Sequence, residues 1–166
     1  DIFLLDLHTS DLDRIELNAT INNLKNKINI FNNYFIYLDN GNTVHTYDLI
    51  KNKFLLSNFI LNNSSSSLLF NNSIIIKNEK FLNFYNVING KLFFQLNIEA
   101  ILNKNSKLIN ALIINKKLHI FMDNGKIIIL EKDFSIEEVV NIKIKDIIQV
   151  YIYQSKIFIN TEKGIT

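Results

Sequence analysis

Three histidines and two pairs of neighbouring carboxylates are the side chains here with chemistry to offer. Imidazoles hold a metal when spacings such as His-x-x-x-His or Glu-x-x-His bring them together. No such spacing surrounds His8, His45 or His119. His119 is flanked by Leu118, Ile120 and Phe121, which are the surroundings of a histidine satisfied in a core or at its edge. Two carboxylates facing a cleft can share acid and base roles. Glu137-Glu138 and the Asp11/Asp13 pair lie beside apolar residues on short strand-like runs, and solvated faces account for both. Gly-x-Ser-x-Gly, a phosphate-binding glycine loop and a calcium loop are absent from the sequence. The absence of cysteine excludes disulfides and thiolate metal sites. The sequence therefore nominates no catalytic, cofactor-binding or metal-ligating residue, implies no cofactor, and is expected to belong to a non-enzyme.

The 166 residues suffice for one domain with a substantial core, and 48% of them are apolar, which argues against disorder. Asn, Ile and Lys dominate, Arg14 is the one arginine, and Pro and Trp are missing. An AT-rich genome produces this bias, so missing Trp or Pro says nothing about function. A net charge of +2 leaves no clustered basic footprint for nucleic acid. No apolar run approaches the roughly 20 residues of a membrane-spanning helix. Asp1 opens directly on a strand-like run and Thr166 stops just after Gly164, so the chain reads as a piece of something longer. Apolar surface is then expected at both ends.

The elements that would position any site recur. Phe31–Leu38, Phe70–Ile76, Ile114–Met122 and Tyr153–Ile159 each place an aromatic or Ile, then a few polar residues, then an apolar run. Their starts lie 39, 44 and 39 residues apart. A period of about 40–45 residues suits a four-stranded propeller blade. Within each period a first strand is expected at Lys27–Phe31, Ser66–Phe70, Leu108–Ile114 and Ile147–Tyr153. Second strands follow at Tyr34–Leu38, Ser73–Lys77, Lys117–Met122 and Lys156–Asn160. Third strands fall at Thr43–Tyr47, Phe81–Tyr85 and Lys126–Leu130, and last strands at Lys53–Ile60, Lys91–Asn97 and Ile136–Ile144. Ile2–Leu5 and Leu12–Leu17 supply the second half of an earlier unit. The second strands are nearly continuous Ile, Phe, Leu and Tyr, the pattern of a strand buried on both faces. Asn40-Gly41 and Asn124-Gly125 mark tight hairpins in which both residues take positive φ. Asn18–Lys27 and Ile98–Lys107 are polar connectors with room for one helical turn. Asn62–Ser67 is a low-complexity patch expected to be a surface loop.

The fold class is therefore all-β: a section of a β-propeller built from four-stranded antiparallel blades, in one incomplete domain. Its parts are a half-blade at 1–17, blades at 27–60, 66–97 and 108–144, and a half-blade at 147–166.

The stretch Phe84–Gln95 ties the repeat to a family. The turn between third and fourth strands in the quinoprotein-like propeller repeat reads Ala-x-Asp-x-x-Thr-Gly-x-x-x-Trp. Phe84–Gln95 resembles it, with Asn86 at the Asp position, Asn89 at Thr, Gly90 at Gly and Phe94 at Trp. The register recurs at Asp6–Ser10, with Ser10 at the Gly position and Arg14 at Trp. It recurs again at Asp48–Asn52, with Asn52 at Gly and Leu56 at Trp. The copy near Glu131–Ser135 is too degenerate to align. No copy has both the motif's Asp and its Gly, none has its Trp, and the Gly-His and Trp-Asp signatures of WD40 repeats are missing. An Asp or Asn side chain can fix such a turn by accepting N–H groups two residues on.

Within that family the chain resembles the propeller lipoproteins of the bacterial outer-membrane β-barrel assembly machinery. The resemblance implies a non-catalytic scaffold that is periplasmic and associated with the outer membrane. Its implied partners are the barrel-forming core subunit and nascent outer-membrane proteins, met through strand-edge pairing. One alternative is a fragment of a dehydrogenase dependent on pyrroloquinoline quinone. The resemblance reaches the structural turn and not the cofactor or calcium ligands, and the adjacent cysteines of many such enzymes are missing. The other alternative is a cytosolic WD40-like adaptor.

Overall fold

An Ile-Ile-Ile strand such as 74–76 has no polar side to give to water, so each face must meet a separate hydrophobic surface. The computed structural model provides both. It describes residues 2–5, 8–10, 12–15, 29–39, 43–55, 59–60, 66–103, 105–154 and 156–165. All of its regular structure is antiparallel β, in five sheets that follow chain order.

The first sheet pairs β1 (Ile2–Leu5) with β2 (Leu12–Ile15). The second runs β3 (Asn29–Phe31), β4 (Tyr34–Leu38), β5 (Thr43–Asp48) and β6 (Lys53–Phe54), with β7 (Phe59–Ile60) also on β5. The expected single strand over 53–60 is thus two short pieces on one partner. The third sheet is β8 (Ser66–Phe70), β9 (Ser73–Lys77), β10 (Phe81–Asn86) and β11 (Leu92–Asn97). The fourth is β12 (Leu108–Ile114), β13 (Lys117–Met122), β14 (Lys126–Leu130) and β15 (Ile136–Asn141), and β15 stops short of the expected Ile144. The last is β16 (Ile147–Tyr153), β17 (Lys156–Thr161) and β18 (Gly164–Ile165). Ser66 and Ser67 lie in β8, so only the earlier part of the serine-rich patch can be loop, and 62–65 lies outside the described residues. The connector after β11 carries one helical turn, closed by Leu102 N–H donating to Ile98 O at 2.9 Å. The other candidate, 18–27, lies outside the described residues. Among the described residues no helix is long and apolar enough to cross a membrane.

From the second sheet onward, successive sheets stack face to face, and the alternation of side chains along the second strands does the work. Ile74 and Ile76 of β9 enter a cluster with Ile36, Leu38 and Val44 of the second sheet. Ile75, between them, enters another with Leu118, Ile120 and Ile128 of the fourth. In β13, Ile120 and Met122 face back to the third sheet while Phe121 packs with Ile147, Val150 and Ile159 of the last. Full burial of each such side chain contributes about 1.5–3 kcal/mol, so the stacked faces dominate stability. The first strands meet one another, β8 with β12 and β12 with β16. Polar side chains tie the same boundaries. Leu108 N–H donates to Ser66 Oγ at 2.7 Å, Asn110 Nδ2 to Val150 O at 2.5 Å, and Thr46 Oγ1 to Val87 O at 2.8 Å.

Left-handed residues make the corners. The polar turns between first and second strands place Asn32, Asn71, Asn115 and Gln154 at φ of 51°, 50°, 51° and 47°. Asn tolerates this conformation better than most residues. The abundance of asparagine thus has a backbone use whatever its genomic origin. At Asn124-Gly125 the expectation fails. Only Gly125 is left-handed (φ 82°), and Asn124 Oδ1 accepts the Lys126 N–H at 3.1 Å instead. Gly125 N–H donates to Met122 O at 3.1 Å, which makes a three-residue loop. A Cβ on Gly125 would stand 2.0 Å from Ile144 O, so the connector to the last sheet passes where only glycine fits. The other pair, Asn40-Gly41, lies outside the described residues.

Candidate functional site

The chemistry-bearing residues are dispersed. His8 is on an exposed turn beside the first sheet, His45 on β5 and His119 on β13, so three different sheets hold the three imidazoles. His45 Nε2 lies 3.0 Å from Asp39 Oδ2, and its ring stacks on Tyr37 with centroids 4.7 Å apart. Asp39 Oδ1 also accepts the Thr43 N–H at 2.8 Å, so this group braces the hairpin between β4 and β5. His119 Nδ1 is 3.2 Å from Lys117 O. Among the described residues no group of three His, Asp or Glu side chains could hold a metal. Glu137 bonds to Lys117, while Glu138 is exposed on the outer strand β15. Asp11 and the side chain of Asp13 lie outside the described residues.

Side-chain caps fix the turns after the third strands. Asn86 Oδ1 accepts the N–H groups of Ile88 (2.9 Å) and Asn89 (3.3 Å). Asp48 Oδ1 accepts those of Ile50 and Lys51, both at 3.0 Å. These two N–H donors, Lys51 first, hold the Asp48 carboxyl below the usual carboxylate range despite its burial. Ser10, Asn52 and Gly90, the three residues at the motif's Gly position, are all left-handed, at φ of 61°, 51° and 68°. The fourth copy, which the sequence does not align, is present and one residue shorter. Glu131 N–H donates to Ser135 O, Phe134 N–H donates to Glu131 O, both at 3.0 Å, and Phe134 takes the left-handed position at φ 66°.

That phenylalanine builds the candidate site. Phe134 stacks on Phe94 with centroids 4.9 Å apart and meets Phe84 and Phe93 edge-on at 5.3 and 5.8 Å. Phe94, at the motif's Trp position, packs between the third and fourth sheets. Beside this cluster a cleft of about 470 Å³ opens between those sheets. Its apolar walls are Phe70, Phe84, Phe93, Phe134, Ile113 and Leu118. Phe93 and Ile113 are 47% and 53% exposed, so the apolar surface is open to solvent. Asn71, Asn72 and Asn86 form one polar rim; Lys116, Glu131 and Lys132 form the other. A second cleft of about 490 Å³ continues past the lysine rim and shares Lys116, Glu131 and Lys132 with the first. Lys117 neutralises part of this rim, with Nζ 3.0 Å from Glu131 Oε1 and bonded to Glu137. Hydrogen bonds to Glu137 and Glu131 hold Lys117 above the usual lysine range. Lys116 and Lys132 have no ion-pair partner among the described residues. The sequence conceals this site because Phe134 occupies a position where Gly, Asn or Ser stands in the other copies. The one available signal was its place about one period after Gly90.

No known sequence family and no curated protein matches the chain. Solved structures do. BamB from Moraxella catarrhalis superposes with a TM-score of 0.64 at 12% identity, over 86% of this chain and 42% of that one. The fission yeast complex of SREBP and SCAP binding domains gives 0.64 at 16% identity, over 97% of this chain and 50% of that one. The computationally designed Ika4 protein gives 0.60 at 7% identity, over 90% and 97%. The fold is a section of a β-propeller. The chain spans about half the length of the BamB and SCAP-complex chains it matches. The four-stranded sheets are its blades, and the cleft lies between two adjacent blades at the face carrying the turns after the first and third strands.

Proposed function

We propose that this propeller section is a non-catalytic protein-binding scaffold. The observation that carries the reading is the solvent-open aromatic cleft between the third and fourth blades. Protein interfaces pair an apolar core enriched in aromatic residues with a polar rim, and the cleft has both. Several side chains with acid–base capacity already have partners. His45 is held by Asp39, and Glu131 and Glu137 by Lys117. A photoreactive phenylalanine analogue at Phe93, and separately at Tyr153 and Ile136 on other blades, tests it in cells producing the full-length protein. The scaffold reading expects a discrete cross-linked partner from at least one position. Cross-links from none of them would contradict it.

The finer assignment is to outer-membrane protein assembly. In this reading the protein belongs to the quinoprotein-like repeat family, is periplasmic and is attached to the outer membrane. It binds a barrel-forming core subunit and nascent barrel strands. The turn geometry at Asp48 and Asn86 and the likeness to BamB support it. The WD40-like adaptor is the second reading, favoured by the likeness to the SCAP complex over 97% of this chain. Fractionation of the cells separates them: outer-membrane recovery supports the first and cytosolic recovery the second. The dehydrogenase reading is tested by adding pyrroloquinoline quinone and calcium to the full-length protein, where absence of dye reduction and of binding is expected.

A further inference from the structure

We propose that β11, the outer strand of the third sheet, is a self-pairing edge that joins two copies of this protein as an antiparallel, two-fold dimer. The inference goes beyond the scaffold reading and does not depend on what enters the cleft. Three observations carry it.

The first is an open ladder. β11 ends the strand order β11-β10-β9-β8, and among the described residues no strand lies on its far side. Such an edge presents a row of N–H and C=O groups that a further strand can pair. β11 keeps a regular register with β10 from Phe94 to Asn97, with Phe93 the extra residue of a bulge just before it. Phe94 and Leu96 pack into the core between the third and fourth sheets, so the edge is held in place. The second is the lack of protection. Natural sheets guard their edges with charge or by shortness. Among the outer strands, β2 carries Asp13 and Arg14, β6 and β7 have two residues each, and β15 carries Glu137 and Glu138. β11 has six residues, Leu-Phe-Phe-Gln-Leu-Asn, and no charge. Its Leu92 and Phe93 are nearly half exposed. The third is self-complementarity. A two-fold axis through Gln95 sets Gln95 opposite its own copy and Phe94 opposite Leu96, an aromatic–aliphatic pair. Antiparallel pairing also brings Lys91, just before the strand, to the end where Glu99 of the second copy lies. Glu99 is exposed there, 3.4 Å from Lys80 Nζ. Paired with its own copy, β15 would crowd two glutamates from each chain into one short ladder. A contact of this symmetry closes at two copies.

The test is gel filtration with light scattering on the 166-residue protein. The mass is expected to rise with concentration from 19.4 kDa toward twice that value and to stop there. Gln95→Lys, at an exposed side chain, sets like charges opposite each other. It is expected to weaken the dimer about fivefold or more, with an unchanged circular dichroism spectrum. Gln95→Glu alone should do the same. An equimolar mixture of the two variants should restore the dimer, which a merely structural defect at Gln95 would not allow. Glu138→Lys on β15 and Tyr151→Lys on the exposed side of the last sheet should leave the dimer intact. A monomer at every concentration reached would overturn the proposal. So would a dimer indifferent to both Gln95 variants, a mixture that stays dissociated, loss of the dimer through Glu138→Lys or Tyr151→Lys, or growth beyond two copies.

Discussion

Phe134 stacks on Phe94 across the boundary between two blades, with centroids 4.9 Å apart and planes 26° from parallel. It does so from a left-handed backbone at φ 66°, the position that Gly90, Asn52 and Ser10 hold in the other copies of the turn. Aromatic packing between blades therefore offsets a local conformational cost.

Substitution at Phe134 should reverse the usual ranking of small residues. Phe134→Ala loses the ring and keeps the strain, and should cost roughly 2 kcal/mol or more. Phe134→Gly loses the same ring and releases the strain, and should be about 1 kcal/mol more stable than the alanine variant. Urea denaturation of both variants measures the difference. Alanine more stable than glycine would place the backbone strain elsewhere.

Gly125→Ala should destabilise by roughly 2–4 kcal/mol, because the new methyl meets Ile144 O and φ stays positive. Gly164→Ala, with open space around it at φ 129°, should cost less. Thermal midpoints of the pair decide this, and equal losses would contradict the close approach at Ile144.

Asp48 and Asp133 should make the fold sensitive to acid. Backbone N–H groups lower the Asp48 carboxyl, and the Ser135 hydroxyl and N–H lower that of Asp133. A carboxyl depressed in the folded state contributes stability above its unfolded value of about 3.9, and that contribution is lost as pH falls through the folded value. Asp48→Asn retains an acceptor at Oδ1 but carries no charge. Wild type should be the more stable of the two near neutrality, and the gap should close below about pH 4. A gap independent of pH from 2 to 7 would show that the carboxylate charge has no part in the turn.

Tyr37→Phe should be stabilising by about 1 kcal/mol, since an unbonded buried hydroxyl carries an uncompensated desolvation cost. The Tyr37 hydroxyl is fully buried and has no hydrogen-bond partner among the described residues. Burial, then the charge of Asp39, pushes its ionisation above the usual tyrosine range. A loss above about 1 kcal/mol in the denaturation midpoint analysis would mean the hydroxyl is satisfied.

The repeat was legible because its signals are local and reinforce one another. Apolar runs without alternation marked β4, β9 and β13, and each has both faces covered. Side-chain caps marked the turns at Asp48 and Asn86, where composition alone fixes what the backbone can do. The features that are not legible in the sequence depend on partners distant in it. Asn124-Gly125 looked like a two-residue corner, but the loop is shaped by the passing Ile144 carbonyl. Phe134 falls in the copy near Glu131–Ser135 that the sequence does not align, and its compensation comes from Phe84, Phe93 and Phe94 on the neighbouring blade. Lys77 sits in an Ile-rich strand and reads as its polar end. It is fully buried, its ammonium donates to Asn78 O at 3.3 Å, and burial lowers its proton affinity against the nearby charges of Asp123 and Glu79. The cleft itself could not be read from sequence, because it exists only where two blades meet.

The central claim is that consecutive residues of one strand belong to two different interfaces, and methyl NOE spectroscopy on isoleucine-labelled protein tests it directly. Ile74 should show cross-peaks to the cluster holding Ile36, and Ile75 to the cluster holding Ile120 and Ile128, with no exchange between the sets. Both residues reporting the same neighbouring blade, or Ile74 reporting only solvent, would contradict the stacked-blade arrangement and the cleft it creates.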